Sequence, residues 1–589
     1  MVTYADRPWL KHYDPGVPHS LMPYPDKVLH DYAREAAKQH PHKSALVTTS
    51  KVPGLGRQTA MITHSELDRL SDALAVALID IGLKKGDRVA IILPNVTAFA
   101  ISYYGVLKAG GVVVATNPTY PPPKMQFQIN DCDAEIVITL SMFYNTVKQI
   151  QPQTKVKTVI VTNIKEYFAP VAKFLFTLTM EKKRGHRIET LHAGDHWLQD
   201  VLTRYAGQKR HGEVSPDDLA IFQYTGGTTG ISKGAMATHR ALVANLLQTQ
   251  AWTSGEAFKD VERSEMVYLG AIPMFHAYGL IVMLNQATAT GARIVLIPNA
   301  RDIDEVVDVI HYYKPGIFLG VPALYNAINN HARVKSGEVK LDCFTLCSSG
   351  SAPLPPATKR EFETMTTAVI TEGFGMSEAP TASHSNPING ENRIGSVGLA
   401  FPDMDMRIVS LDDGETDLPV GDVGELLMTG PQLMKGYHGM PTETANVLRE
   451  KDGKLWLYTG DIARMDEDGY FYIVDRKKDM ALIGGFNVYP ASIEKALKEH
   501  SAVLEVGVAA IPHPEKAGQE SLKAWIVLQP GMMATEQELV DHCTQRLAGY
   551  EVPRRFAFVS ELPKSAVGKT LRRELIQMEM AEQEQIAKR

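Results

Sequence analysis

Cysteine is scarce in this chain: there are four in 589 residues, Cys132, Cys343, Cys347 and Cys543. So few, so scattered, they point to reduced core thiols of a cytoplasmic protein. Cys343 and Cys347 lack the second pair that a structural metal site would need. An excess of one charge is also missing. The formal net charge of −6, with 22% charged residues, gives no general attraction to nucleic acid or anionic lipid. The N-terminus has no charged start, apolar centre and small-residue cleavage site, so no signal peptide is expected. Internal repeats and low-complexity tracts are absent. The uncharged stretch from Val89 to Leu107 is broken by Pro94-Asn95 and reads as strand, turn and helix, not as a membrane span. The Gly-x-x-x-x-Gly-Lys-[Ser/Thr] spacing of a Walker A loop does not occur.

What is present has an ordinary globular composition, 44% hydrophobic, in a chain too long for one core. Short β-branched runs alternate with longer helical patterns. Val89-Leu93 reads as a strand, Asn95 as the N-cap of a helix reaching about Ala109, and Val112-Ala115 as the next strand. Similar runs follow at Ile136-Leu140, Val159-Thr162, Leu219-Tyr224, Arg293-Ile297, Ile317-Gly320 and Phe344-Cys347. The pattern predicts an α/β protein with largely parallel, buried sheets. From Met406 the strands shorten (Met406-Ser410, Gly424-Thr429, Phe471-Val474) and polar turns separate them, as in an antiparallel, barrel-like subdomain. After Lys478 a smaller α+β unit begins, with a helix at Ile493-His500, strands at Val503-Ile511 and Leu522-Leu528, and a polar helical tail from Lys569. The charged stretch Val474-Asp479 is the expected boundary between the two.

The segment from Tyr167 to Met180 is rich in Phe and Leu and is followed by Lys182, Lys183, Arg184 and Arg187. One reading is a helix packed on its domain, with its basic end complementing the helix dipole. The other is a peripheral membrane contact. The packed helix is the preferred reading.

The chemistry concentrates in Tyr224-Thr225-Gly226-Gly227-Thr228-Thr229-Gly230-Ile231-Ser232-Lys233-Gly234. Glycines let a backbone bring its N–H groups close to an anion, hydroxyls add donors, and Lys233 adds charge. Such a loop suits a nucleotide polyphosphate. Further strings follow in order: Ile272-Pro273-Met274-Phe275-His276, Glu372-Gly373-Phe374-Gly375-Met376-Ser377-Glu378, Tyr458-Thr459-Gly460-Asp461, Val474-Asp475-Arg476-Lys477-Lys478-Asp479-Met480, Gly484-Gly485-Phe486-Asn487-Val488-Tyr489-Pro490 and Pro563-Lys564-Ser565-Ala566-Val567-Gly568-Lys569.

Taken together, from about Pro25 to Glu574, these strings resemble the signatures of the adenylate-forming superfamily: acyl-CoA synthetases, firefly luciferase and peptide-synthetase adenylation domains. The nearest likeness is to bacterial long-chain fatty-acid–CoA ligases. The resemblance implies a large N-terminal domain, residues 1–477, of two αβα-type sheets plus a distorted β-barrel subdomain. A small mobile α+β C-terminal domain, residues 478–589, would follow it. It implies activation of a fatty acid by ATP and Mg²⁺ to an acyl-adenylate, then transfer to coenzyme A.

Residue by residue, the resemblance assigns Thr225, Gly226, Gly227, Thr228, Thr229, Gly230 and Lys233 to the β- and γ-phosphates. Thr225 and Glu378 are assigned to Mg²⁺, and Ser377 to the α-phosphate. Glu372, Gly373 and Phe374 border the nucleotide. Phe374 stacks on adenine where most relatives carry Tyr, and Gly350 abuts adenine and the acyl entrance. Asp461 accepts from the ribose hydroxyls, and Arg476 assists at the ribose or phosphate. His276 stands between the α-phosphate and the acyl group. Lys569 shields the two anions as they join. Lys478 is the hinge, and Gly484 and Gly485 line a pantetheine tunnel. Alone, a tail lysine, a loop glutamate or a core histidine is ordinary; the surrounding strings carry each assignment.

Alternatives share the motifs. A medium-chain or aryl (coumarate-like) acid–CoA ligase differs only in the pocket. A fatty-acyl-AMP ligase usually carries an insertion after the hinge, whereas Arg476 to Gly484 is short. Nothing in the sequence signals a luciferase-like oxygenase. A non-catalytic nucleotide-binding protein would not be expected to keep Lys569, Glu378 and Asp461 together. The implied partners are the fatty acid and, as in many long-chain relatives, a second copy in a homodimer; nucleic acid is not among them.

Overall fold

Alternation along the first parallel strands divides the core. On strand Arg88–Ile92, Val89 and Ile91 join one apolar cluster while Ala90 and Ile92 join another on the opposite face. Both faces are covered, which is why these strands read as unbroken apolar runs. The computed structural model describes residues 2–52, 54–225, 232–254, 261–483, 486–512, 520–565 and 568–587. Gly226, Gly227, Thr228, Thr229, Gly230, Gly484 and Gly485 therefore lie outside the described residues.

Arg88–Ile92 is one of eight strands in the first sheet. The order is Gly436–Tyr437, Gly234–Thr238, Leu219–Tyr224, Val112–Ala115, Arg88–Ile92, Ile136–Leu140, Thr158–Thr162, His196–Trp197. From Leu219–Tyr224 onward the pairing is parallel. A second sheet of nine strands has a parallel centre made of Ile370–Met376, Leu346–Ser349, Ile317–Gly320, Val267–Gly270 and Arg293–Leu296. Helix Thr97–Lys108 touches both sheets, and every one of its residues is buried. Its terminal Lys108 is fully buried, with its ammonium 2.7 Å from Asp72 and 2.5 Å from Asp68 on helix His64–Ile81.

The expected barrel-like subdomain is a five-stranded antiparallel sheet built around the long strand Lys454–Met465. Gly424–Thr429 and Phe471–Arg476 pair with it. The N-terminal arm straps this part of the molecule. Trp9 is 1% exposed and packs on Phe471, its backbone so close to Gly469 that a methyl there would meet the Trp9 nitrogen at 2.4 Å. The Asp14 carboxylate accepts the N–H groups of Ile388, Asn389 and Gly390. Asp403 accepts from Ser20, Leu21 and Tyr24.

Beyond Arg476 come a hairpin, Ala481–Ile483 with Phe486–Val488, and a three-stranded sheet of Val503–Pro512, Glu520–Leu528 and Arg555–Phe558. Helix Pro490–Lys498 buries Ile493 and Leu497 against that sheet, and helix Arg572–Ala587 follows the last motif. All four cysteines are free, and three of them are buried.

Three local expectations need correction. Asn95 does not cap the helix; the N-cap is Val96, and the buried Asn95 amide is spent elsewhere. The strand expected at Phe344-Cys347 runs from Leu346 to Ser349. Helix Pro170–Thr179 is not packed all round. Only Ala172 is buried, while Val171, Phe174 and Leu178 are 47%, 63% and 67% exposed.

Candidate active site

The C-terminal ends of the parallel strands in both sheets open on one cleft, the usual place for ligands in such sheets. Its volume is about 1840 Å³, above the few hundred to about 1,000 Å³ of ordinary small-molecule pockets. Strand Leu219–Tyr224 delivers Thr225 to it, Leu346–Ser349 delivers Gly350, and Ile370–Met376 delivers Ser377 and Glu378. The small C-terminal unit supplies the remaining wall with Lys564, Ser565 and Lys569.

The Gly/Thr loop is closed at its base. Thr225 N–H donates to the Lys233 carbonyl at 2.9 Å, and Ser232 Oγ donates to the Thr225 carbonyl at 2.6 Å. The Lys233 ammonium pairs with Glu443 and lies 5.0 Å from the Tyr437 ring centre. Tyr437 also donates its hydroxyl to Glu378 at 2.8 Å. Burial raises the Glu378 carboxyl above its ordinary value, and this hydrogen bond works against the rise.

His276 is held by its own loop. Its Nδ1 accepts the Tyr278 N–H at 3.3 Å, which leaves the proton of the neutral ring on Nε2. Burial pushes the imidazole down to about 4, so the ring is neutral near pH 7 and can donate a hydrogen bond there. Asn95, from the first sheet, pins that loop. It donates to the carbonyls of Gly270 and Ile272 and accepts from Met274 N–H, all at 2.8 Å. Gly279 lets the chain turn back on itself, since a methyl there would lie 2.2 Å from the Pro273 carbonyl oxygen. Gly350 faces the Tyr278 ring, where a methyl would sit at 3.4 Å.

In the Glu-Gly-Phe-Gly string the residues from Gly373 onward reach the cleft, and Glu372 stops short of it. Gly373, Phe374 and Ser377 line the cleft. Glu372 does not: its buried carboxylate is occupied by the Leu354 and Gly395 N–H groups, each at 3.3 Å. Its assignment to the nucleotide border is therefore corrected to a role behind the wall. Gly375 is obligatory, because a methyl there would lie 1.6 Å from the Thr381 carbonyl oxygen.

Arg476 lines the cleft and holds Asp461 Oδ1 at 3.1 Å from its Nε. Asp461 Oδ2 is buried and has no hydrogen-bond partner among the described residues; neither do Gln223 Oε1 and Ser349 Oγ. Buried acceptors are rarely left so, and the hydroxyls and amine of a nucleoside are donors that would satisfy them. Among the described residues no cluster of three or more His, Cys, Asp or Glu could hold a metal alone. Glu378 and the Thr225 hydroxyl are oxygen donors fit for a hard cation that takes the rest of its shell from phosphates and water. Lys478 and Lys569 also line the cleft. Desolvation, and then the Arg476 charge, push the Lys569 amine down to about 8. Between the π-helical segment Tyr278–Asn285 and the second sheet, an apolar arm of the cleft is walled by Tyr268, Val282, Ile317, Leu319 and Leu346.

Glu443, Tyr437, Asn95 and Ser349 were not among the sequence-assigned site residues. Glu443 and Tyr437 sit in no recognisable string, and only the pairing of Gly436–Tyr437 with Gly234–Thr238 brings them to the loop.

Residues 33–438 match the family described as AMP-binding enzyme, and residues 492–569 match the AMP-binding enzyme C-terminal domain. A long-chain-fatty-acid–CoA ligase of Bacillus subtilis is 38% identical over 98% of this chain and 98% of its own length. The one from Escherichia coli O6:H1 is 35% identical over 96% and 97%. The crystal structure of ATP-bound MatB from Rhodopseudomonas palustris superimposes with a TM-score of 0.78 at 27% identity, covering 94% of this chain and 99% of that one.

Proposed function

The chain belongs to the AMP-binding enzyme family, and from that premise we infer that it is a long-chain fatty-acid–CoA ligase. It converts a fatty acid, ATP and coenzyme A into acyl-CoA, AMP and pyrophosphate. In the first step a carboxylate oxygen bonds to the α-phosphorus as the bond to the β-phosphate oxygen breaks. In the second, sulfur bonds to the acyl carbon and the carbon–oxygen bond to AMP breaks. Mg²⁺, when bound, neutralises phosphate charge.

The chain's own residues are assigned the following work. Thr225 and Lys233 anchor the polyphosphate, and Lys233 exchanges Glu443 for phosphate oxygen. Glu378 and the Thr225 hydroxyl hold the metal. Phe374 offers its ring face to adenine, and Gly350 lets the base and the acyl group approach the backbone. Asp461 Oδ2 accepts from the ribose, oriented by Arg476. Ser377 and the Nε2–H of His276 donate to oxygens at the reacting phosphate and carboxylate. Lys569 stands between the two anions and cancels their repulsion. One ammonium in that position bars a sulfur from the same approach. The small domain, beginning at Lys478, therefore turns about that residue between steps. CoA thiol needs no dedicated base, being partly ionised near neutrality with a pKa of about 8.5.

The observation that carries this reading is the meeting, in one large cleft, of Lys569 from the small unit with the loop base, His276 and Glu378 from the large one. The test is a panel of carboxylates, from acetate through palmitate plus cinnamates, scored for ATP-dependent pyrophosphate release with and without CoA. Release with palmitate and a further rise in product with CoA are expected. Turnover of cinnamates alone would move the substrate class to aryl acids.

Peripheral contact with a membrane is the finer part of the reading. Among the described residues no helix is long and apolar enough to cross a bilayer. Helix Pro170–Thr179 instead presents Val171, Phe174 and Leu178 on one exposed stripe, flanked by exposed Lys182, Lys183, Arg184 and Arg187. That pairing fits an anionic lipid surface, where the acyl substrate also partitions. Phe174→Asp with Leu178→Asp should abolish co-sedimentation with anionic phospholipid vesicles. Unchanged sedimentation would refute it.

A further inference from the structure

Resting on the reading in which the small domain turns about Lys478, we propose that Arg572 is the positioning residue that sets Lys569 for adenylate formation. Asp475 is the counter-charge it must release before sulfur attacks.

Lys233 waits for its anion on a carboxylate, Glu443, but Lys569 does not. Among the described residues Lys569 has no ion-pair partner within 4.0 Å, so something else must fix it. Its turn is tight: Ser565 N–H donates to the Lys569 carbonyl at 2.8 Å, and Lys569 N–H donates to Ser565 Oγ at 3.1 Å. Three residues on, Arg572 opens helix Arg572–Ala587. Its guanidinium donates to Asp475 and Asp479, both at 3.0 Å, and grips both oxygens of Glu494 at 3.1 and 3.0 Å. The arginine is 15% exposed and Asp475 only 2%.

These three acids are not equivalent. Asp479 and Glu494 follow Lys478 in the chain and travel with Arg572. Asp475 precedes Lys478, on the large domain's strand Phe471–Arg476. Two of its donors, Arg572 and the Ala491 N–H at 2.8 Å, belong to the small domain. Among the described residues only the adjacent Arg476 N–H, at 2.7 Å, stays with it. A carboxylate this buried is costly to strip of its donors. The grip therefore favours the pose that presents Lys569, and turning must break it. Holding the small domain together does not require Asp475, since Asp479 and Glu494 already serve that end.

The experiment compares Asp475→Asn, Asp475→Ala and Arg572→Lys with the parent enzyme in two half-reactions. One is pyrophosphate release with hydroxylamine trapping and no CoA. The other is thiolysis of supplied acyl-adenylate by CoA. The alanine variant should lower the first about tenfold or more and leave the second unchanged or faster, with the asparagine and lysine variants intermediate. Equal losses in both, or no loss in either, overturn the proposal. Should the alanine variant fail to fold, the isosteric asparagine gives the same ratio test. Lys478→Pro separates the two levels. If it does not change the ratio of half-reactions, the turning itself is wrong; if it does and the Asp475 variants do not, only the grip is wrong.

Discussion

Replacing Lys569 by alanine should divide the two half-reactions, and the size of the effect follows from its surroundings. The cleft lowers the amine from an ordinary 10.5 to about 8, which corresponds to about 3 kcal/mol opposing a bare ammonium there. Two arriving anions reverse that opposition. At 4 Å, one opposite charge contributes about 4 kcal/mol at an effective dielectric constant of 20. At 1.36 kcal/mol per decade these figures bracket a loss of about a hundredfold to a thousandfold in the rate of adenylate formation. The assay is pyrophosphate release without CoA, so that no thiol titrates. Thiolysis of a preformed acyl-adenylate should stay within a few-fold of the parent. The parent's kcat/KM for the first step should fall as pH rises above about 8, because the free enzyme then loses the cation; saturating substrates should move that limb upward. The variant should lack it. His276, at about 4, adds no limb above pH 5. For stability the sign is the reverse. A lysine whose folded value lies below its unfolded one opposes folding below about pH 8, and the opposition fades between about 8 and 10.5. Equal loss in both half-reactions, or an alkaline limb surviving in the variant, would refute the reasoning.

Two more outcomes are expected. Lys478→Pro should slow thioester formation more than pyrophosphate exchange, measured side by side; equal rates would remove the hinge. Asp461→Ala should raise the KM for ATP about tenfold to a hundredfold, the range for a charge-assisted hydrogen bond. It should also erase discrimination between ATP and its 2′- and 3′-deoxy analogues, and retained discrimination would place the ribose elsewhere.

The residues proposed for phosphate and ribose are legible in the sequence because they stand in short local strings: Thr225 and Lys233, Ser377-Glu378, Gly460-Asp461. The parallel strands were legible because burial on both faces leaves continuous apolar runs such as Ile136–Leu140, read with its observed bounds. What escaped was set by distance along the chain. Asn95 looked like a cap, yet its partners lie at Gly270 and Ile272, 175 and 177 residues away. Glu372 stands inside a motif, but its carboxylate is taken by the amides of Leu354 and Gly395 behind the cleft wall. Asp475 stands in a quoted string, while its guanidinium partner is 97 residues downstream. The local pattern around Phe174 and Leu178 left both a packed helix and a membrane contact open, since exposure depends on what the rest of the chain leaves uncovered.

The N-terminal strap bears on how the protein is cut for experiment. The family match starts at residue 33, a tempting place to begin a truncated version. Such a truncation would discard Trp9, whose indole fills the space beside Phe471, and Asp14, which gathers three amides. Strand Phe471–Arg476 ends in the arginine that orients Asp461. Trimming that segment would thus loosen the proposed ribose seat from the far side, and a shortened enzyme that binds ATP weakly would be reporting on its missing prop, not on its active-site residues.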